Sequence, residues 1–547
     1  MSNATRKTPK RTAAGAAEPQ TPDRFGRVRL SAPQAFALPL AFSLGLLALT
    51  RLDSVSRNAN LLWSFQVASV ALITWCAVLF LFALRSGRTF TVDIVLRKQH
   101  YLQACLQTII IVYWGWYWHQ VYASAPLIVA QLVFAYAFDI LLAWSRRDSY
   151  ALGFGPFPVI CSITLFLWFK DDWFYYQFLL VAVGFAAKEL IHWTKNGRST
   201  HIFNPSSFPL AVFSVLLLLT GTGDRTWGFL IANTEFYPPQ MYLVLFLIGL
   251  PGQFLFGVTT MTMTAVVTTA LWSLLYFGAT GSYFFFDSHI PIAVFLGMHL
   301  LFTDPSTAPR TELGRIIYGV LYGSTTIALY AWLTAAGMPA FYDKLLQVPL
   351  LNLSVRVIDR VAQSNFLRRL DPAALGRALV PRARHLAYMS IWALVFAGMS
   401  VTGVLDDKHP GQWLPFWQHA CARDARDACD NLAFLEDGFC LDGSGWACNE
   451  FAILQVERRR PGASPVELLQ RGCALGFAPA CENRAKLTES SALRHGTPRI
   501  QDYPLILRGS KGPIAERDPA ALFARACEQG WPDTCKVPLG SQRLPQR

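Results

Sequence analysis

Apolar runs of roughly twenty residues, parted by short polar loops, fill the first three-quarters of the chain. They fall at about 32–50, 60–84, 101–123, 126–144, 152–169, 174–193, 205–221, 239–258, 260–279, 290–303, 314–335 and 385–404. A helix of that length crosses a hydrocarbon core of about 30 Å, so the pattern predicts an all-α, polytopic transmembrane helix bundle. Arg85, Arg88, Arg97 and Lys98 mark one cytoplasmic loop; Arg146 with Arg147, then Lys188, Lys195 and Arg198, then Arg310 and Arg315 mark the next three. Lys170-Asp171-Asp172 and Asp287 fall in loops expected on the outer side.

The alternation fails after Arg315. A cytoplasmic N-terminus and twelve full crossings would leave the C-terminus inside, yet Arg382 and Arg384 precede the last run and Asp406 and Asp407 follow it, which places its end outside. About eleven spans are therefore expected, with 290–303 or the region after Asn204 forming a half-span, re-entrant element or interfacial helix. The expected organisation is a disordered basic cytoplasmic tail over 1–30 and a transmembrane core over 31–335. A basic amphipathic segment over 336–384 (Lys344, Arg356, Arg360, Arg368, Arg369, Arg377), a final helix over 385–404 and a distinct domain over 405–547 complete it. No short apolar core with a cleavage site precedes the first run, so no signal peptide is expected.

Polar interruptions inside the apolar pattern are the candidate sites. In Lys195–Leu210, KNGRSTHIFNPSSFPL, Asn204-Pro205 ends any preceding helix and starts a new one whose N–H groups face the basic loop. That is either an ordinary helix start or a half-helix of the kind that holds anionic groups at membrane depth. Asp304-Pro305 and Ala308-Pro309 interrupt Leu301–Gly323, and Pro251-Gly252 breaks Leu250–Thr264 ahead of a threonine-rich helix. The candidate ligand-binding residues are Asn204, Pro205, Ser206, Thr259, Thr260, Asp304, Pro305 and Thr307. Asp139, Lys188, Glu189, His192 and His299 are ionisable groups in or near spans, where such residues are rare. Lys188 and His192, four apart, are expected on one helix face. Tyr113, Trp114, Trp116, Tyr117 and Trp118 are expected to form an interfacial belt.

Beyond about 405 the cysteines decide the picture. Eight of the chain's 11 lie there in four pairs of equal spacing: Cys421/Cys429, Cys440/Cys448, Cys473/Cys481 and Cys527/Cys535. Along one straight helix that spacing is about 12 Å, too far for a disulfide, so bonded pairs require a chain reversal. Gly443, Gly476 and Gly530 follow the first cysteine of three pairs by three positions, where a helix C-terminal cap sits. Asp518-Pro519 is a good helix start. The stretch thus reads as antiparallel helix pairs, each stapled by a disulfide, in an oxidising compartment. The alternative, metal binding, lacks a C-x-x-C pair or a Cys/His cluster of zinc spacing. Cys76, Cys105 and Cys161 read as packing residues within spans.

Composition agrees with the pattern: 53% hydrophobic and only 15% charged, where a soluble protein carries about 25%. The net charge of +13 sits largely in loops and the N-terminal tail, so it marks topology and not nucleic-acid binding. The partner expected from composition is the lipid bilayer.

Two resemblances add to this. CALGFAPAC and ACEQGWPDTC resemble the cysteine-rich variant of Sel-like repeats, which implies a protein-interaction module. HIFNPSSFPL, LPGQFLFGVTT and LFTDPSTAPRTELGRIIYGVLYG, in that order, resemble the integral membrane flavoproteins of ion-motive redox pumps. These are the flavin-carrying membrane components of the sodium-translocating NADH:quinone reductase and of the Rnf complex, with their enediyne-biosynthesis-associated relatives; the resemblance covers roughly 90–335. It implies an inverted-repeat bundle with broken helices around FMN or riboflavin, moving electrons in a bacterial inner (cytoplasmic) membrane with partner redox or membrane proteins. The family's covalent attachment uses threonine of a Ser-Gly-Ala-Thr motif. Here the corresponding interval reads Thr220-Gly221-Thr222-Gly223-Asp224, so a non-covalent or degenerate site is expected. The chain carries no iron–sulfur cysteine pattern and no dinucleotide fingerprint, so electron transfer would need other proteins. The alternative is a non-redox transporter or assembly protein on the same scaffold.

Overall fold

A computed structural model describes residues 23–195, 198–376, 379–458, 463–487, 489, 491–507, 518–528 and 530–536. The chain is mostly helical and divides into two compact units. The first comprises the described residues up to Ala232 with Val244–Thr268 and Leu296–Val395; the second comprises Asn233–Leu243, Thr269–Phe295 and the described residues from Phe396 onward.

Among the described residues, five helices are long and apolar enough to cross a membrane: Ala32–Arg51, Ala59–Ser86, Ala125–Arg146, Thr259–Thr280 and Glu312–Ala335. Ala59–Ser86 shows why a bilayer suits them. Asn58 accepts from Leu61 N–H at its start and Gly87, at φ 61°, closes its end. Between them Trp63, Val67, Val70, Leu81 and Phe82 are exposed. Side chains of that kind are stable in contact with lipid, not water. Other apolar runs yield shorter helices. Ser207–Thr220, Met241–Phe256 and Ile292–Leu301 are each too short to cross by themselves, the last ending in a π-helical turn at Gly297–Leu301. The run 152–169 contains only Pro156–Thr164 as α-helix.

The fold is not purely helical. Asp23–Leu30 pairs antiparallel with Phe90–Leu96, which runs parallel to Ser149–Leu152; His192–Lys195 and Arg198–His201 form a hairpin. The stretch read as a disordered tail to residue 30 is thus a strand from Asp23 onward, and residues 1–22 lie outside the described residues. Alternation in FTVDIVL supplies its partner, and Arg27 bridges Asp93 across the pair at 2.7 Å.

The basic segment after 336 also differs from a surface helix. Asp343–Ala362 packs against both Glu312–Ala335 and Ser207–Thr220, burying Leu345, Val348, Asn352 and Val355. The exposed face carries Leu350, Leu353, Val357 and Val361. Arg377 lies outside the described residues.

In the second unit, helices Leu414–Ala422, Ala428–Leu441, Gly445–Arg458, Pro465–Ala474 and Ala478–Lys486 pack consecutively around Trp417, Phe439, Trp446 and Leu469. Disulfides join Cys421–Cys429, Cys440–Cys448, Cys473–Cys481 and Cys527–Cys535, with Cα–Cα distances of 4.6, 4.6, 4.7 and 4.9 Å. The unit extends beyond the boundary drawn at 405: Phe286 stacks on Trp417 with ring centroids 5.3 Å apart, and Tyr276 donates to Asp427 at 2.9 Å. Among the other cysteines, Cys76 and Cys161 are buried, but Cys105 is exposed on its helix face and does not pack in a core.

Candidate functional site

Proline at 205 keeps Asn204 out of the helix that follows, and the freed amide becomes the brace of a turn. Asn204 Oδ1 accepts from Ser206 N–H at 2.9 Å, Ser206 Oγ at 2.7 Å and Ser207 N–H at 3.1 Å, satisfying the orphan donors at the start of Ser207–Thr220. Its Nδ2 donates to the Leu301 carbonyl at 3.0 Å, at the end of the π-helical turn. Its backbone N–H donates to Asn352 Oδ1 at 3.2 Å, and Asn352 Nδ2 donates to the Tyr318 hydroxyl at 2.9 Å. Two buried asparagines, Asn204 and Asn352, thus tie four segments together.

Asp304-Pro305-Ser306-Thr307 repeats the device. Asp304 Oδ1 accepts from Ser306 N–H at 2.9 Å, and its carbonyl accepts from Thr307 N–H at 3.2 Å and Thr307 Oγ1 at 3.3 Å. Asp304 Oδ2 lies 3.2 Å from His201 Nε2, which the hairpin delivers because His201 stands opposite His192 in its register. The two Pro-Ser turns therefore adjoin, joined by Asn204–Leu301 on one side and His201–Asp304 on the other. Helix Tyr175–Leu190 closes against them: a Cβ on Gly184 would strike the Pro205 carbonyl.

Thr260 belongs to a different cluster. Its hydroxyl donates to Glu312 Oε2 at 2.8 Å, while Glu312 Oε1 accepts from Arg315 at 2.6 Å and Arg315 Nε donates to the Pro309 carbonyl at 3.2 Å. The break before it falls at Gly257, φ 65°, between Met241–Phe256 and Thr259–Thr280, and not at Pro251-Gly252 as the sequence suggests: the helix runs through Pro251 and ends where a left-handed glycine caps it. There the Thr259 hydroxyl and both polar atoms of the Gln253 amide are buried with no protein partner. Orphans of that kind cost about 1–3 kcal/mol each, so a polar ligand that met them here would gain. Gln253 also lies near the His299 ring, both being close neighbours of Gly249.

Asp139 pairs with Lys188 at 3.8 Å and accepts from the Tyr150 hydroxyl at 3.1 Å; Glu189 meets Arg147, with Arg146 at 3.7 Å. His192 does not share a helix face with Lys188, because that helix ends at Leu190 and His192 opens the hairpin. Trp114 departs from the belt reading as well: it is fully buried, 5.1 Å from Trp118 and 6.2 Å from Trp168 by ring centroids, whereas Trp116 is exposed. Asn352, Glu312 and Arg315 entered the clusters unannounced. The one signal for Asn352 was a single amide inside the apolar string LLNLSV.

Comparison with family models, curated proteins and solved structures finds no match to this chain.

Proposed function

We propose that this chain is the membrane component of an electron-transfer system, flavin-associated through a non-covalent or degenerate site, and that it works with separate redox proteins. The observation that carries the reading is the junction of the Asn204-Pro205-Ser206 and Asp304-Pro305-Ser306 turns. These are the segments through which the sequence resembles the membrane flavoproteins of sodium-translocating NADH:quinone reductase and the Rnf complex. In this reading Asn204, Pro205, Ser206, Asp304, Pro305 and Thr307 shape the wall, since their polar atoms are taken up by internal hydrogen bonds. The Gln253 amide and Thr259 hydroxyl are the groups left to meet the polar edge of FMN or riboflavin, beside Thr260. Bound flavin would supply electron transfer that no side chain here performs.

The proposed topology has about eleven crossings of a bacterial cytoplasmic membrane. The short helices around the turns would act as half-spans in an inverted-repeat bundle, and the disulfide-bearing unit would lie outside. The four disulfides support that side, because such bonds persist in oxidising compartments.

The test is spectroscopic. Full-length protein purified in mild detergent is expected to show flavin absorbance and fluorescence, or to acquire them with added FMN or riboflavin, and Gln253→Leu is expected to lower retention by about tenfold. Colourless protein that binds neither flavin would overturn the reading. It would favour a transporter or assembly protein on this scaffold, a role consistent with Asn204 and Asp304 spending their hydrogen bonds on structure.

A further inference from the structure

A cavity of about 510 Å³ opens in the first unit where two helices end. Ser207–Thr220 stops at Gly221 and Glu312–Ala335 stops before Gly337, both glycines at φ 66° and both on the cavity wall. Helix C-termini carry partial negative charge. Asp224 adds a full negative charge on the same wall, and Phe229, Phe341 and Tyr342 supply aromatic faces. Carboxylate, helix C-termini and aromatic rings together form an environment for an organic ammonium. Lys170 also lines the cavity, with Nζ 5.6 Å from the Trp227 ring centroid. Neither Lys170 nor Asp224 enters an ion pair among the described residues, although both face one space. The cavity therefore presents separated positive and negative charges, Asp224 exposed and Lys170 half-buried, that a ligand can reach.

Its surroundings state the source of the ligand. Phe229 and Leu230 on its wall are exposed, and Leu219, next in the chain to the lining residue Leu218, is 80% exposed. Arg225 lies 3.8 Å over the Trp173 ring, and Trp173, Tyr175 and Tyr176 cluster nearby. An aromatic and basic belt at helix ends is the signature of headgroup depth. Gly223 and Gly228 let the backbone approach the Phe341-Tyr342 corner: a Cβ on Gly228 would stand 2.5 Å from the Phe341 ring.

We propose that this cavity binds the headgroup of a zwitterionic phospholipid bearing a primary ammonium, with Asp224 and the two helix C-termini taking the ammonium, Lys170 the phosphate, and Leu219 and Leu230 guiding the acyl chains. A primary ammonium is favoured over a quaternary one because it can donate to both the carboxylate and the terminal helix carbonyls. This site is independent of the flavin reading.

The experiment is native mass spectrometry of the full chain exchanged into nanodiscs of phosphatidylethanolamine, phosphatidylcholine or phosphatidylglycerol with identical acyl chains. The wild type is expected to retain phosphatidylethanolamine about tenfold over the other two. Asp224→Asn should erase its preference over phosphatidylglycerol, and Lys170→Gln should weaken retention of all three. Water-soluble glycerophosphoethanolamine should not displace the lipid. Equal retention of the three lipids by the wild type would overturn the proposal without any variant having to fold. So would unchanged selectivity in Asp224→Asn of normal gel-filtration profile, or displacement by the soluble headgroup.

Discussion

The Asn204 amide uses both of its ends, and that makes its two polar atoms separately testable. Asn204→Asp keeps an acceptor for Ser206 and Ser207 but sets an oxygen against the Leu301 carbonyl in place of the Nδ2 donor. A loss of about 1–3 kcal/mol is expected, the cost of a buried carbonyl left unpaired. Asp304→Asn keeps the acceptor for Ser306, and its new amide N–H can donate to a neutral His201 Nε2, so less than about 1 kcal/mol is expected. Thermal unfolding of the detergent-solubilised full chain measures both; equal losses would show that the turns are not braced as described. Gly184→Ala tests the packing behind them. Its methyl group would meet the Pro205 carbonyl, and about 1–3 kcal/mol of overpacking is expected, read by the same melting experiment.

At the scale of elements, chain reversals in the disulfide-bearing unit follow one rule that glycine alone does not reveal. Three residues after the first cysteine, Gly443, Gly476 and Gly530 take φ of 103°, 79° and 89°, and Asp424 occupies the fourth equivalent position at φ 54°. Aspartate tolerates left-handed backbone better than most side chains, and Asp424 is held by Arg458. Gly443→Ala is expected to cost about 1–2 kcal/mol. Replacing Cys473 and Cys481 together by serine should cost about 2–3 kcal/mol, with a lower unfolding midpoint in denaturant. A midpoint equal to that of the oxidised wild type would mean that the bond adds nothing. These reversals were legible because cysteine spacing is a distance constraint. The long helices were legible because twenty apolar residues in a row have few other uses. The strands at Asp23–Leu30 and Ser149–Leu152 were not, being short and polar-edged beside strong helical signals. Of the candidate site, the two Pro-Ser turns could be read from proline and Asx chemistry. The partners Asn352 and Glu312 could not, because a lone polar residue in an apolar helix does not name the segment it will meet.

For the molecule as a whole, pH should act through the second unit, where two buried acids lie together and an exposed histidine bonds to one of them. Burial pushes the Glu436 carboxyl well above the usual carboxylate range, and the nearby charge of Glu450 pushes it further. His495 is raised by its 2.6 Å hydrogen bond to Glu450, burial opposing. Both groups bind protons more tightly folded than unfolded, so each stabilises fully below its unfolded value, about 4.3 for the glutamate and about 6.5 for the histidine. That stability is lost as pH rises through the raised folded values. The unfolding midpoint of this unit should therefore fall as pH rises from about 4.3 upward, and the glutamate should dominate because the His495 side chain is 63% exposed and screened by solvent. Glu436→Gln, which keeps the shape and cannot charge, is expected to flatten the slope and raise the midpoint at the alkaline end, while His495→Gln removes only a minor part. Far-ultraviolet melting of the full chain across that range decides it: a midpoint that climbs with pH, or a Glu436→Gln slope equal to that of the wild type, would remove Glu436 as the controlling group.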